Sequence, residues 1–299
     1  MLVSVVIPVL NAADALRATL QSIRAAGSSV NVEVLVQDGG SSDGIDSVVA
    51  EFPDLIAGFT SGKDGGQYGA INAGFERASG EVFTWINAGD IFFPGAFDKV
   101  VEIFEAHPDV FWLTGRQCVA RVGNPLIFSP FDVMVSNEEI RSGLCGPAGT
   151  GFLQQEGMFW RRELWEDCGG LDTTMKLAAD FDLWMRMAAR APLHRVSIVL
   201  AAFSYHRDNR SVLGASEYLR EMEVAIERRW GRRRTLLNAA RWVGLFLKGA
   251  SRIPVVRALF AFPLWLIGYP RVETFDWRQK SGPCGSFELK RRRRVSWVG

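Results

Sequence analysis

The residues of this 299-residue chain best suited to chemistry are carboxylates that stand where predicted strands end. Val82 to Ile86 is a short apolar run with β-branched and aromatic members, the pattern of a buried strand. It runs into Asn87-Ala88-Gly89-Asp90, which sets the Asp90 carboxylate just beyond the strand's carboxyl end. In open α/β sheets ligands bind there, and an acid in that place can hold a hard divalent cation that in turn holds phosphate oxygens. The same four residues also read as a polar turn before Pro94. Asp38 follows the run Val32 to Val36 in the same way, where a carboxylate can accept hydrogen bonds from a base or ribose. Asp180 opens a helical segment whose apolar face is Phe181, Trp184, Met185 and Ala188. It reads either as an N-cap or, with its carboxylate aimed at a hydroxyl, as a general base. His206 follows the apolar run Ile198 to Phe203 among Arg207, Asp208, Asn209 and Arg210, and reads as a phosphate or metal contact or as a solvated side chain.

A second constellation is rich in glycine. Ser61-Gly62-Lys63-Asp64-Gly65-Gly66-Gln67 leads into a helix over Tyr68 to Ala78, stopped by Gly80. Glycines allow close backbone approach to a ligand, and a loop that opens a helix can present N–H groups to phosphate; a tight strand-to-helix connection explains the same residues. Neither familiar phosphate cradle is present. Gly39, Gly40 and Gly44 lack the spacing of a dinucleotide fingerprint, and Gly58 to Asp64 is one residue short of a P-loop, with Asp64 where a Ser or Thr belongs. Asp43, close to a helix start, reads as a cap.

The elements that must position these groups are those of an α/β domain. Val3 to Val9 is a continuous apolar strand of the kind buried on both faces of a parallel sheet. Asp14 to Ala26 is an amphipathic helix with Leu16, Leu20 and Ile23 on one face, and Val32 to Val36 is the next strand. Strand, helix and strand in close succession form a βαβ unit with a right-handed crossover. Pro94 to Ala106 predicts a helix and Val110 to Thr114 a strand, whereas 115–150 has no clear period and predicts a long loop region over the site.

Length and composition suit a folded globular domain with an appendage: the chain is 48% hydrophobic and 22% charged. The net charge of +1 conceals a split, because residues 1–227 hold 17 Lys and Arg against 30 Asp and Glu, while 228–299 hold 17 against 3. Cys118, Cys145, Cys168 and Cys284 show neither CxxC pairing nor zinc spacing and read as structural thiols of a reducing compartment. No basic region precedes the apolar start, so a signal peptide is not expected, and no run is long and apolar enough for a spanning helix; a cytoplasmic protein is expected. Glu217 to Arg234 predicts a charged helix. Leu236 to Leu247 and Ile253 to Gly268 are apolar and aromatic with interspersed Arg and Lys, a pattern that suits helices lying in a membrane surface. Lys290 to Arg294 adds a cluster suited to anionic headgroups. A helical subdomain packed on the body with a basic tail accounts for the same composition. Nucleic acid is not expected as a partner, since no recognition fold accompanies the basic tail.

Taken in order, these blocks resemble glycosyltransferase family 2, the inverting transferases of the GT-A fold. The resemblance rests on Val5 to Asn11, Gln37 to Gly44, Asp64 to Gly74, Ala78 to Glu81, Ile86 to Asp90, Phe159 to Arg162 and Ala179 to Trp184, and covers about residues 1–215. It implies an α/β, Rossmann-like, mostly parallel sheet flanked by helices over 1–215, followed by a helical, basic C-terminal extension over 216–299. By the same resemblance Pro8 and Asn11 border the nucleotide, Asp38 reads the donor base, and Lys63, Asp64 and Asn72 lie beside ribose and phosphates. Asp90 holds Mg²⁺ or Mn²⁺ on the diphosphate, with His206 near it, and Asp180 deprotonates the acceptor hydroxyl. The implied partners are a nucleotide-sugar donor (UDP- or another NDP-sugar) and a glycan or lipid-linked acceptor. A peripheral place on the inner face of the membrane, in bacterial cell-surface polysaccharide or glycolipid assembly, would follow. The sequence departs from the family pattern at Gly89, where a second acid is frequent, at Gly69 and Ala73, and at Ala179. Those departures keep open a relative that binds nucleotide sugar or scaffolds an assembly without catalysis. A nucleotidyltransferase is the other α/β alternative, but a convincing triphosphate loop is lacking.

Overall fold

A computed structural model describes residues 1–27, 30–121, 124–128, 135–145, 153–205, 214–231, 271–279 and 287–295. The elements run β1 (Leu2–Val9), α1 (Ala13–Ala26), β2 (Asn31–Asp38), α2 (Ile45–Ala50), β3 (Ile56–Ser61), α3 (Gln67–Arg77), β4 (Val82–Trp85), β5 (Ile91–Phe92) and α4 (Ala96–Ala106). They continue with β6 (Trp112–Thr114), β7 (Cys118–Arg121), β8 (Asn124–Phe128), α5 (Asn137–Arg141), β9 (Met158–Arg161), α6 (Arg162–Cys168) and α7 (Ala179–Ala188). The last are β10 (Leu193–Val196), β11 (Ala201–Tyr205), α8 (Ala215–Trp230), β12 (Arg271–Gln279) and β13 (Phe287–Val295). Nine strands form the main sheet in the order β13-β12-β10-β6-β9-β4-β1-β2-β3, and a smaller sheet follows the order β5-β11-β7-β8.

Strand alternation divides the core in two. Val3, Val5, Ile7 and Val9 of β1 pack with Leu16, Leu20 and Ile23 of α1 and with Phe97, Val100 and Phe104 of α4. Val6, one residue out of phase, joins Ile71 and Phe75 of α3 and the Trp residues of β4, β9 and α7 on the opposite face. A sheet covered on both faces demands continuously apolar strands, which is why β1 is buried from Val3 to Val9.

Strands β3, β2, β1 and β4 run parallel, but β9 is antiparallel to both of its neighbours, β4 and β6. An antiparallel strand brings its amino end to the place where its parallel neighbours have their carboxyl ends. Residues just before β9 therefore arrive at the ligand-binding edge of the sheet.

Three expectations are corrected. The stretch 115–150 is not an unstructured loop in its described parts: β7 and β8 form an antiparallel pair, and α5 starts in a capping box made by Ser136 and Glu139. Short strands on a small second sheet need no long apolar run, so periodicity does not reveal them. The expected strand Ile198 to Phe203 begins at Ala201, after a separate strand β10. Among the described residues of the extension over 216–299, α8 is helical, whereas 271–279 and 287–295 are the strands β12 and β13. Its basic run Lys290 to Arg294 lies in β13, the edge strand of the main sheet, paired along β12. Arg291 donates to Asp109 and Glu273 and lies over the Phe275 ring, so part of the positive charge is consumed in docking the hairpin. The apolar stretches 236–247 and 253–268, and His206, lie outside the described residues.

Candidate active site

The loops after β1, β2 and β3 form one hydrogen-bonded wall. Asn11, the only non-glycine residue with positive φ among the described residues, donates its amide to the Ser41 hydroxyl at 2.7 Å and accepts the Ser42 amide at 3.0 Å. Asp38 is 4% exposed and accepts the amide and hydroxyl of Ser41 and the hydroxyl of Ser61. Burial alone would raise its pKa, but these donors outweigh it and hold the carboxyl below the usual range. Both Asp38 oxygens are thus engaged in shaping the loop. Pro8 is buried within β1, opposite Gln37, while Lys63 is exposed. Asp64 accepts the Gly66 amide at 2.9 Å and stands beside Gly39, whose added Cβ would lie 3.4 Å from an Asp64 oxygen. At Gly69 an added Cβ would lie 2.3 Å from the Asp64 carbonyl oxygen, which explains why this position carries no side chain.

Asn72 bridges two elements. Its amide nitrogen donates to the Leu171 carbonyl at 2.9 Å and its oxygen accepts the Leu171 amide at 3.0 Å. These two bonds tie α3 to the turn before α7. A short polar side chain on a helix gives no sign of which partner it will find across 99 residues of chain.

Asp90 is buried beyond the end of β4, 4% exposed. The Ser204 amide of β11 donates to it at 2.7 Å, and the Asn87 side chain also hydrogen-bonds it. Asn87 in turn accepts the Gln67 side-chain Nε2 at 2.6 Å, which ties the start of α3 to this turn. Gly89 has φ +103° and donates its amide to the Thr19 hydroxyl, which also donates to the Asp90 carbonyl. The position that departs from the family's acidic pattern is one where the backbone favours glycine.

The structure adds a carboxylate that sequence reasoning missed. Glu156, 8% exposed, sits two residues before β9 and is hydrogen-bonded to Asp90. Burial, followed by the negative charge of Glu156, pushes the Asp90 pKa well up, and burial raises Glu156 as well. Two carboxyls in such contact disfavour ionisation of both at once. The neighbouring Gln155 bonds the Trp85 carbonyl at 2.6 Å and Gln154 bonds the Cys118 carbonyl at 3.0 Å, which anchors the segment to both sheets. Nothing in the run Gln154-Gln155-Glu156 marks the third residue as the one that faces the site; only the reversed direction of β9 decides it.

Asp180 in the first turn of α7 is partly buried. Its pKa is pushed up to about 7, chiefly by burial; the Phe181 amide works against this, and the negative charges of Glu156 and Glu221 add to it. Glu156 thus contacts Asp90 and is felt by Asp180, which places all three carboxylates at one end of the sheet. The packing that secures this is aromatic. Trp85, at the end of β4, stacks on Trp184, one turn beyond Asp180, with ring centroids 5.5 Å apart and planes 6° from parallel.

Among the described residues no group of three or more His, Cys, Asp or Glu side chains is placed to hold a metal ion. Asp90 and Glu156 together supply hard oxygen donors, a set that suits Mg²⁺ or Mn²⁺ when diphosphate oxygens and water complete the coordination.

A mostly parallel sheet with helices on both faces and carboxylates at its ligand edge is the architecture of the GT-A glycosyltransferases. Residues 4–127 match the glycosyl transferase family 2 model. Among solved structures it is similar to S. aureus TarS 1-349 in complex with UDP-GlcNAc, at TM-score 0.58 and 18% identity over 76% of this chain and 67% of that one. It is also similar to the mannosyltransferase PcManGT from Pyrobaculum calidifontis in complex with GDP-Man and Mn²⁺, at TM-score 0.57 and 19% identity over 89% and 80%. An uncharacterized glycosyltransferase of Mycobacterium tuberculosis is 28% identical over 71% of this chain and 80% of its own length. One from Rickettsia conorii is 25% identical over 70% of this chain, which spans only 35% of that relative.

Proposed function

We propose that the protein is an inverting glycosyltransferase that moves a sugar from a nucleotide-diphosphate donor to a hydroxyl of a glycan or lipid-linked acceptor. The observation that carries the reading is the Asp90–Glu156–Asp180 group at the ligand edge of a GT-A sheet. In this reading the wall formed by Asn11, Asp38 and Asp64 borders the nucleotide, with Pro8 beneath it and exposed Lys63 beside the phosphates. Asp38 contributes the shape of the loop, since its oxygens are already bonded. Asp90 and Glu156 would hold Mg²⁺ or Mn²⁺, which stabilises negative charge on the departing diphosphate. Asp180 takes the proton of the acceptor hydroxyl as that oxygen attacks the anomeric carbon from the face opposite the diphosphate. A carboxyl with pKa about 7 is well matched to that task near neutral pH. The neighbours support the donor class: TarS is in complex with UDP-GlcNAc and PcManGT with GDP-Man and Mn²⁺.

Cell-surface polysaccharide or glycolipid assembly at the cytoplasmic face of a membrane fits the basic C-terminal residues. No helix among the described residues is long and apolar enough to cross a membrane. A second reading, a nucleotide-sugar-binding relative without catalysis, is favoured by Gly89 and by the raised pKa of both Asp90 and Glu156. Nucleoside diphosphate release from a panel of UDP- and GDP-sugars with Mn²⁺ separates the two. Release that is lost in Asp90→Asn and Asp180→Asn supports the transferase; donor binding without release by the wild type supports the inactive relative.

A further inference from the structure

Helix α8 lies beyond the stretch matched by the family model, and its buried face carries a carboxylate that the transfer reaction does not use. Glu221 is 5% exposed. One of its oxygens accepts the Lys176 amide at 2.8 Å, and the other accepts the Leu177 and Ala178 amides, both at 2.9 Å. These three amides immediately precede α7, whose second residue is Asp180. The Ala178 N-cap position has no side-chain cap of its own, and Glu221 satisfies from another helix its backbone donor and the two that precede it. Tyr218, Glu221, Met222 and Ala225 form one buried stripe of α8 at helical spacing, which seats the carboxylate against that segment.

We propose that Glu221 is the positioning residue for the general base: by clamping the backbone from Lys176 to Ala178 it fixes the place and direction of Asp180 toward the acceptor hydroxyl. This rests on the transferase reading above. A buried carboxylate that accepts three amides is a rigid clamp, since charge-assisted hydrogen bonds are about twice as strong as neutral ones. A misplacement of the order of 1 Å at a reacting group can cost about 10²-fold in rate. The clamp also adds negative charge near Asp180, together with Glu156; the Tyr218 hydroxyl and the Phe181 amide are the other groups that face it. Substitution of Glu221 therefore alters where the base sits and how readily it ionises, but leaves the donor wall of β1, β2 and β3 intact.

The test uses the full chain with Glu221→Gln and Glu221→Asp. Amide hydrogen exchange is read over 175–182, thermal shift is read with UDP-GlcNAc and GDP-mannose in Mn²⁺, and nucleoside diphosphate release is read across pH. In Glu221→Gln the amides of Lys176, Leu177 and Ala178 exchange at least tenfold faster. Its donor-induced thermal shift equals that of the wild type, and kcat falls about 10-fold or more. The acid limb of the pH profile moves to lower pH, because a negative charge beside Asp180 has been removed. Glu221→Asp recovers part of kcat. Unchanged exchange at the three amides overturns the clamp, and unchanged kcat and acid limb overturn its role in positioning the base. Equal loss of donor binding and kcat overturns it too, in favour of general structural damage. Faster exchange in a protein whose wild type releases no nucleotide from any donor would retain the clamp, overturn its link to catalysis and refute the transferase reading itself.

Discussion

Asp180 carries the sharpest expectations. Its folded pKa of about 7 stands above the ordinary 3.8, so the unfolded chain ionises first. The native state accordingly loses stability as pH rises from about 4 to about 7 and levels off above that. Asp180→Asn removes this penalty, so its melting temperature should gain on the wild type through that window, with the gain largest above pH 7. The same change should cut transfer about 10²–10⁴-fold, and wild-type turnover should fall on the acid side with a midpoint near 7. A variant that melts higher while turning over less is the signature of a group kept for function at the expense of stability. Gly89 gives a second expectation at this scale. Its φ of +103° makes Gly89→Ala strained, costing of the order of 1–3 kcal/mol in unfolding free energy by urea titration. The sequence announced Asp90 and Asp180 because each follows or opens an element with a clear period. It did not announce Glu156, whose neighbours are polar and whose place depends on a strand direction, nor the use of both Asn72 amide atoms by Leu171.

At the scale of elements, two contacts bring the carboxylates together. The Trp85–Trp184 stack sets α7 against the end of β4, and Glu221 of α8 secures the backbone ahead of α7. Trp184 is 2% exposed, so Trp184→Ala should cost about 3–5 kcal/mol in equilibrium unfolding, with turnover of the folded fraction reduced as well. The milder change Trp184→Phe keeps an aromatic ring against Trp85 and should retain most of the stability. The strands β1, β2 and β4 and the helices α1, α3, α4 and α7 were readable from apolar runs and helical spacing, because their packing faces are wide. The β7–β8 pair was not, because its strands are short and lie on a small second sheet, nor was the β12–β13 hairpin, whose Arg- and Lys-rich strand is held by partners such as Asp109 and Glu273. Arg291→Ala should loosen that hairpin, costing about 0.2–1 kcal/mol, and speed amide exchange along β12 while leaving α1 and α3 unchanged.

The whole molecule joins the stretch matched by the family 2 model to later elements that complete its sheet and hold the backbone ahead of α7. Parts of the C-terminal third thus serve the fold: α8 clamps α7, and the hairpin extends the sheet beyond β10. Positive charge beyond that consumed by Asp109, Glu273 and Asp276 supports the proposed attraction to an anionic membrane. Vesicles with anionic phosphatidylglycerol should carry the protein in flotation at low salt, and neutral phosphatidylcholine vesicles should not. The central claim, a nucleotide-sugar site held by Asp90, is tested most directly by thermal shift against UDP- and GDP-sugars with Mn²⁺ or with a chelator, in wild type and Asp90→Asn. A donor present at about 100 times its Kd should add about 2.7 kcal/mol to wild-type stability in Mn²⁺, and the shift should largely vanish with chelator or with Asp90→Asn. A shift of equal size in Asp90→Asn, or none with any donor, would contradict the account.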